Sequence, residues 1–231
     1  MSIQFNGTTS GLVYTLPTAL TIGTGDFSAL LSFRLDSLPS GDMGDLFSLL
    51  NPGFTSFIYA GVAPAGTLKA IGPTFSTPTA IALTTQTWYT AVVGRTGTVF
   101  HLRMFDDTAS TTPVGDTSIA DTGSATGIDA MRVGTDDFGG FFTPMQAGLL
   151  KVHTGVYWTN AQCRTETQNY GIQTAGGTDR FCWAMQDQTL SRYGLAEWNG
   201  GPVFVNTACS ASAHHPRQLQ RAPLVRMRMG T

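Results

Sequence analysis

Apolar and polar residues alternate in short stretches along this chain, and glycine, proline or asparagine repeatedly closes them. Period-two alternation marks a strand with one buried face. Ile3 and Phe5 alternate ahead of the polar turn Asn6-Gly7-Thr8-Thr9, and Leu12, Tyr14 and Leu16 resume the pattern up to Pro17. Residues 26–35 predict the next strand, with Phe27, Ala29, Leu31, Phe33 and Leu35 on one face. Further strands are predicted over 46–50, 54–62 and 67–71, separated by Asn51-Pro52-Gly53 and by Pro64 and Gly66. Residues 88–95 and 98–105 both alternate, so they predict a hairpin that turns at Thr96-Gly97. Residues 106–126 are rich in Ser, Thr, Asp and Gly and read as an excursion with one short apolar patch. Strands are predicted again over 131–134, 146–158, 180–185 and 202–207.

One helix is predicted. Thr159 suits its N-cap, Gln162 stands three residues on in capping-box position, and residues 160–170 run without Gly or Pro until Gly171. It is short and polar, which predicts a decoration on the rim of the sandwich. Composition agrees with a strand-rich chain. Only 12% of the 231 residues are charged, with two glutamates (Glu166, Glu197) and two lysines (Lys69, Lys151), and long helices carry such residues on their wet face. The pattern therefore predicts an all-β, antiparallel two-sheet β-sandwich with one short helix. A domain over 1–209 is expected, followed by an extended basic arm over 210–231, where apolar periodicity fades.

Net charge is −2, so the chain as a whole has no electrostatic bias toward nucleic acid or membrane. The end differs: no acidic residue follows Glu197, and four arginines do, at 217, 221, 226 and 228. The alternation beginning at Ser2-Ile3-Gln4-Phe5, with no basic and apolar leader before it, predicts a folded domain without a secretion signal. No apolar run approaches the roughly 20 residues of a transmembrane helix. Cys163, Cys182 and Cys209 match no zinc spacing. Two readings stay open for them: a Cys163–Cys182 disulfide, or three buried or partly buried thiols.

Four pieces resemble the laminin-G-like branch of the concanavalin A-like lectin/glucanase superfamily, over about residues 1–171. They are Ile3-Gln4-Phe5-Asn6-Gly7; Gly25-Asp26-Phe27-Ser28 leading into a strand; Trp88-Tyr89 opening a strand that feeds a hairpin; and Met131-Arg132-Val133-Gly134 followed by a Gly-rich loop and Gly148-Leu149-Leu150-Lys151-Val152. The resemblance implies a jelly roll, a short helix after the last pair, and calcium at one rim in many members. Glucanases of this fold carry a Glu-x-Asp-x-x-Glu strand or a similar acidic cluster. Neither Glu166 nor Glu197 sits in one, so the sequence predicts no catalytic residue and no enzyme. Nor is there a Gly-x-Ser-x-Gly elbow, a phosphate-binding loop or a His-Glu-x-x-His helix.

The candidate site residues are few. His101, Arg103 and Phe105 fall on one side of their strand, and Lys151 and His153 on one side of theirs. Were both sides on one sheet, they would form a wet face able to hold a glycan or an acidic partner, with Trp158 beside it to stack on a sugar ring. The alternative is the ordinary outward face of an antiparallel sheet. Asp136 and Asp137, in a Gly-rich loop, are a calcium candidate, or else a solvated turn. No cofactor is required. The arm, with Arg217, Arg221, Leu224, Arg226 and Arg228, is expected to dock on neighbouring subunits. These readings converge on a non-catalytic structural or adhesion protein of a homo-oligomer or larger assembly. The version expected is a bacteriophage virion surface component (capsid decoration, head fibre or tail fibre), assembled in the host cytoplasm, with partners among virion subunits and cell-surface glycans. The alternatives are a stand-alone carbohydrate-binding lectin and a glycoside hydrolase.

Overall fold

The computed structural model describes residues 2–8, 11–20, 22–51, 53–72, 74–77, 81–135, 143–169 and 172–184, with short strands at 196–197, 204–207 and 210–212. These form seventeen strands and one helix. The strands are β1 (Ser2–Asn6), β2 (Gly11–Leu20), β3 (Phe27–Leu35), β4 (Gly44–Leu50), β5 (Phe57–Val62), β6 (Thr67–Gly72), β7 (Phe75–Ser76), β8 (Ile81–Ala82), β9 (Trp88–Thr96), β10 (Val99–Asp106), β11 (Gly115–Ala120), β12 (Ile128–Val133), β13 (Pro144–Thr154), β14 (Arg180–Ala184), β15 (Ala196–Glu197), β16 (Phe204–Thr207) and β17 (Ser210–Ser212). The helix, α1, spans Asn160–Gln168.

Two antiparallel sheets result. The first runs β11-β10-β9-β3-β13-β1-β17, with β14 pairing the far half of β13 and β15 beyond it. The second runs β16-β2-β12-β4-β5-β6-β7, with β8 beside β6. Neighbours in the sheets are distant in sequence, as in a jelly roll: β3 lies between β9 and β13, and β12 between β2 and β4. One core fills the space between the sheets. Phe27, Leu31 and Phe33 from β3, Val93, Leu102 and Val152 meet Leu12, Tyr14, Phe47, Leu49 and Ile58 there. Burying this much apolar surface is the main force joining the two sheets.

The predicted faces of β3, β10 and β13 stand as expected, whereas several boundaries move. The hairpin turns at Gly97-Thr98, one residue later than predicted, because Val99 pairs with Thr96. Gly97 takes φ +56°, and a left-handed first turn residue is what matches the twist of the flanking strands. The region read as an excursion contains β11, which pairs with β10 from Val99↔Ala120 to Met104↔Gly115. The strand predicted over 146–158 ends at Thr154, and Trp158 lies beyond it. Ser210–Ser212 pair with β1, so the first residues of the region read as an arm lie in the first sheet.

Candidate functional site

His101, Arg103, Lys151 and His153 do lie on one sheet and on one face of it. Cross-strand pairing sets them in two adjacent rows. One runs Ser118–His101–Gly94–Ser28–His153–Arg180, and the other Asp116–Arg103–Val92–Leu30–Lys151–Cys182. The expectation that this face is wet is overturned. Arg103 is 2% exposed, and Lys151, His153 and Trp158 are 0%. The cause is α1 with its flanking segments 155–159 and 172–179, which lie across the face and meet its polar groups with polar groups of their own.

Lys151 Nζ, His153 Nε2 and both terminal nitrogens of Arg103 find acceptors on that cover. Lys151 Nζ donates to the Glu166 carboxylate at 2.8 Å and to the Glu166 carbonyl at 2.6 Å. The same carboxylate accepts the backbone N–H groups of Gln173 (2.9 Å) and Thr174 (2.5 Å). Arg103 donates to Asn160 Oδ1 at 2.7 Å and to the Trp158 carbonyl at 2.8 Å, with its guanidinium 4.6 Å from the Tyr157 ring centroid. His153 Nε2 lies 2.6 Å from the Gly176 carbonyl; a carbonyl only accepts, so Nε2 carries the proton and Nδ1 faces Trp158 Nε1–H at 3.4 Å. Burial lowers the His153 pKa below its ordinary value, keeping the ring neutral. Arg164 reaches back from α1 to the carbonyls of Ser110 and Asp106 over the Phe105 ring.

The cover also explains the cysteines. Cys163 and Cys182 are free thiols buried in a small cluster with Leu30, Val92, Phe105, Leu149 and Trp158. Burial pushes the Cys163 thiol up to about 11, so it stays protonated and inert. Of the predicted face only His101 remains half-exposed, its ring 5.0 Å from that of Tyr157. Gly94 gives Tyr157 its seat: a Cβ at Gly94 would stand 3.2 Å from the Tyr157 ring.

The opposite face of the molecule is built differently. On the outer side of the second sheet, pairing sets Val13, Arg132, Ser48, Tyr59 and Ile71 in one row, and Thr15, Ala130, Leu50 and Phe57 in the next. Phe57, Tyr59, Lys69 and Ile71 are half-buried, and their neighbours Ile58, Ala60, Leu68 and Ala70 point into the core. Lys69 faces Gly61, where a Cβ would stand 2.6 Å from the Gly44 carbonyl oxygen and 3.2 Å from the Tyr59 ring. The single helix of the described residues is on the other sheet, so this aromatic and cationic surface has no helical cover. Sequence reasoning passed over it. The alternation at 57–62 and 67–72 was its signal, but an outward Tyr or Ile reads as core until the partner strands are known.

Asp136, Asp137 and the arm residues Arg217, Arg221, Leu224, Arg226 and Arg228 lie outside the described residues. Among those described, no cluster of three or more His, Cys, Asp or Glu side chains could hold a metal ion. No described helix is long and apolar enough to cross a membrane.

No protein-family model matches the chain, and no curated protein matches it in sequence. Solved structures do. A heptameric SAP-like pentraxin from Limulus polyphemus superposes with a TM-score of 0.56 at 16% identity, covering 92% of this chain and 95% of the pentraxin. A protein from Bacteroides ovatus, whose carbohydrate-binding role is itself proposed, superposes with a TM-score of 0.61 at 10% identity, covering 91% of this chain and 61% of that one. Domains LG4-5 of the mouse laminin alpha1 chain align over 65% of this chain at 15% identity and a TM-score of 0.48. The fold is a two-sheet jelly-roll β-sandwich of the kind the pentraxin has.

Proposed function

We propose that this chain is a non-catalytic, lectin-like adhesion module that binds glycan on the outer face of its second sheet. The observation that carries the reading is the contrast between the two outer faces. One is closed by α1 and its flanking segments, which accept hydrogen bonds from Arg103, Lys151 and His153; the other presents Phe57, Tyr59 and Ile71 with Lys69 beside them. Half-exposed aromatic rings offer a flat apolar surface to the C–H face of a pyranose, and the lysine ammonium donates to its oxygens. The carbohydrate-binding description of the Bacteroides protein supports the reading at the level of fold. Its non-catalytic half rests on the carboxylates. Glycoside hydrolysis needs two of them flanking an open cleft, about 5–10 Å apart, and Glu166 is spent on Lys151 beneath α1. A glycan array run with and without a calcium chelator tests the proposal, with Tyr59→Ala as the control. Binding that Tyr59→Ala abolishes supports it; silence across the array overturns it.

A second reading places the module on a virion surface, as a bacteriophage capsid decoration or fibre component docked through its arm. What favours it is the charge pattern after Glu197, where four arginines stand with no acidic residue. Because Ser210–Ser212 belong to the sheet, truncation after Ser212 is the informative deletion. A truncated chain that still enters its parent particle overturns this reading.

A further inference from the structure

At one rim of the sandwich, four oxygen atoms converge on the guanidinium of Arg95. Nη2 donates to the Gly23 carbonyl at 2.6 Å and to the Gly25 carbonyl at 3.0 Å, and Nε shares Gly25 at 3.1 Å. Nη1 donates to the Gly123 carbonyl at 2.6 Å and to Asp121 Oδ2 at 3.1 Å. Every donor nitrogen is engaged, and Arg95 is only 2% exposed. The acceptors come from two loops far apart in sequence, 22–26 and 121–125, joined otherwise by the bridge between Gly23 and Ala125. Asp121 is itself held in place, its Oδ1 accepting from Thr74 Oγ1 and the Gly123 N–H, both at 2.8 Å. The Phe27 ring stands 5.8 Å from the guanidinium carbon.

Three carbonyls and a carboxylate around one charge are the donor set of a cation site. Their spread follows the edge of a planar cation, with the oxygens set against three nitrogens in one plane. A lysine ammonium is a compact point charge and cannot reach acceptors spread this widely. We propose that this rim is a binding site for a planar guanidinium-type cation, that Arg95 is its tethered occupant, and that the two loops keep their mutual position because this cation cannot dissociate.

Chemical rescue tests the proposal on the full chain. Arg95→Ala should lower the melting temperature by about 10 °C, since it strands the Asp121 carboxylate among unpaired carbonyls. Guanidinium chloride at about 20 mM, far below denaturing levels, should then return roughly 4 °C, as a ligand bound only by the folded state does. Urea, planar and of similar size but uncharged, should return nothing at the same concentration, and neither should sodium chloride at equal ionic strength. Absence of rescue by guanidinium, or equal rescue by urea, overturns the proposal. Arg95→Lys covers the case in which Arg95→Ala does not fold. It keeps charge and stem, and should melt several degrees below the parent chain; melting at the parent temperature overturns the proposal as well.

Discussion

The ammonium of Lys151 sits 2.8 Å from one carboxylate oxygen of Glu166, and water reaches neither side chain. Lys151 belongs to β13 in the middle of the first sheet, and Glu166 to α1, so this pair fastens the helix to the sheet. Two unlike charges removed from water hold together only while both are present and their remaining hydrogen bonds are filled.

Removing one partner should therefore be worse than removing both. Glu166→Ala leaves the Lys151 charge buried and also strips an acceptor from Gln173 and Thr174. The expected cost is about 3–5 kcal/mol in chemical denaturation. The double variant Lys151→Met with Glu166→Leu should be less destabilised than the sum of its singles by at least about 1 kcal/mol. Strict additivity would mean that the pair does not couple helix to sheet.

Acid should loosen the same cover. Burial lowers the His153 pKa in the folded chain, while the unfolded chain titrates near the ordinary 6.5. The unfolded state thus binds the proton first, and stability falls as pH drops below about 6.5 and onward through the lowered folded value. The His101 pKa is lowered too, by burial and by Arg103, so its contribution has the same sign. Urea midpoints measured from pH 8 to pH 5 should decline on the acid side. His153→Gln should flatten part of that decline; an unchanged slope would remove His153 as its source.

Much of this architecture was legible in the chain. The capping box was read from Thr159 and Gln162 alone, and both of its hydrogen bonds are present. The sides of β10 and β13 followed from period two, because register cannot slip one residue without exposing Leu102 or Val152. What stayed hidden depends on partners. Strand β11 carries only Ile119 as a large apolar residue, so its short patch read as an interruption in a loop. The helix looked like a rim decoration because its sequence is polar, yet Cys163, Arg164, Glu166 and Thr167 are its buried residues, three of them polar or charged. A polar helix face is buried when the surface it meets is polar too, and no pattern within the helix reveals that.

The helix cap gives a smaller and more local prediction. Thr159 Oγ1 accepts the Gln162 N–H at 3.3 Å, and Gln162 Oε1 accepts the Thr159 N–H at 2.8 Å. Thr159→Ala removes the first of these and should cost about 1 kcal/mol. Amide exchange should quicken in α1 and leave the strands of the second sheet unchanged. Uniform quickening throughout would show that α1 unfolds only with the whole domain.

Thiol chemistry probes the cover directly. Cys163 is fully buried with its pKa pushed up to about 11, and Cys182 is 3% exposed. Neither should react with iodoacetamide at pH 8 in the native chain, and both should react once guanidinium unfolds it. Mass spectrometry of tryptic peptides reads the two sites separately. Failure of either to label after denaturation without reductant would indicate a disulfide in place of the free thiols.

Stability and binding should separate on the outer face of the second sheet. Tyr59 and Phe57 project away from the core, between core-facing Ile58 and Ala60, and are only half-buried. Replacing either with Ala deletes apolar contact at the surface but opens no internal cavity, so the stability cost should stay near about 1 kcal/mol. Glycan affinity should fall at least tenfold, because each substitution removes one of the two rings offered to the sugar. Substitution of the half-exposed His101 on the first sheet should leave affinity unaltered. Isothermal titration with a glycan identified on the array compares the three variants, and an affinity loss confined to His101→Ala would move the site to the other face.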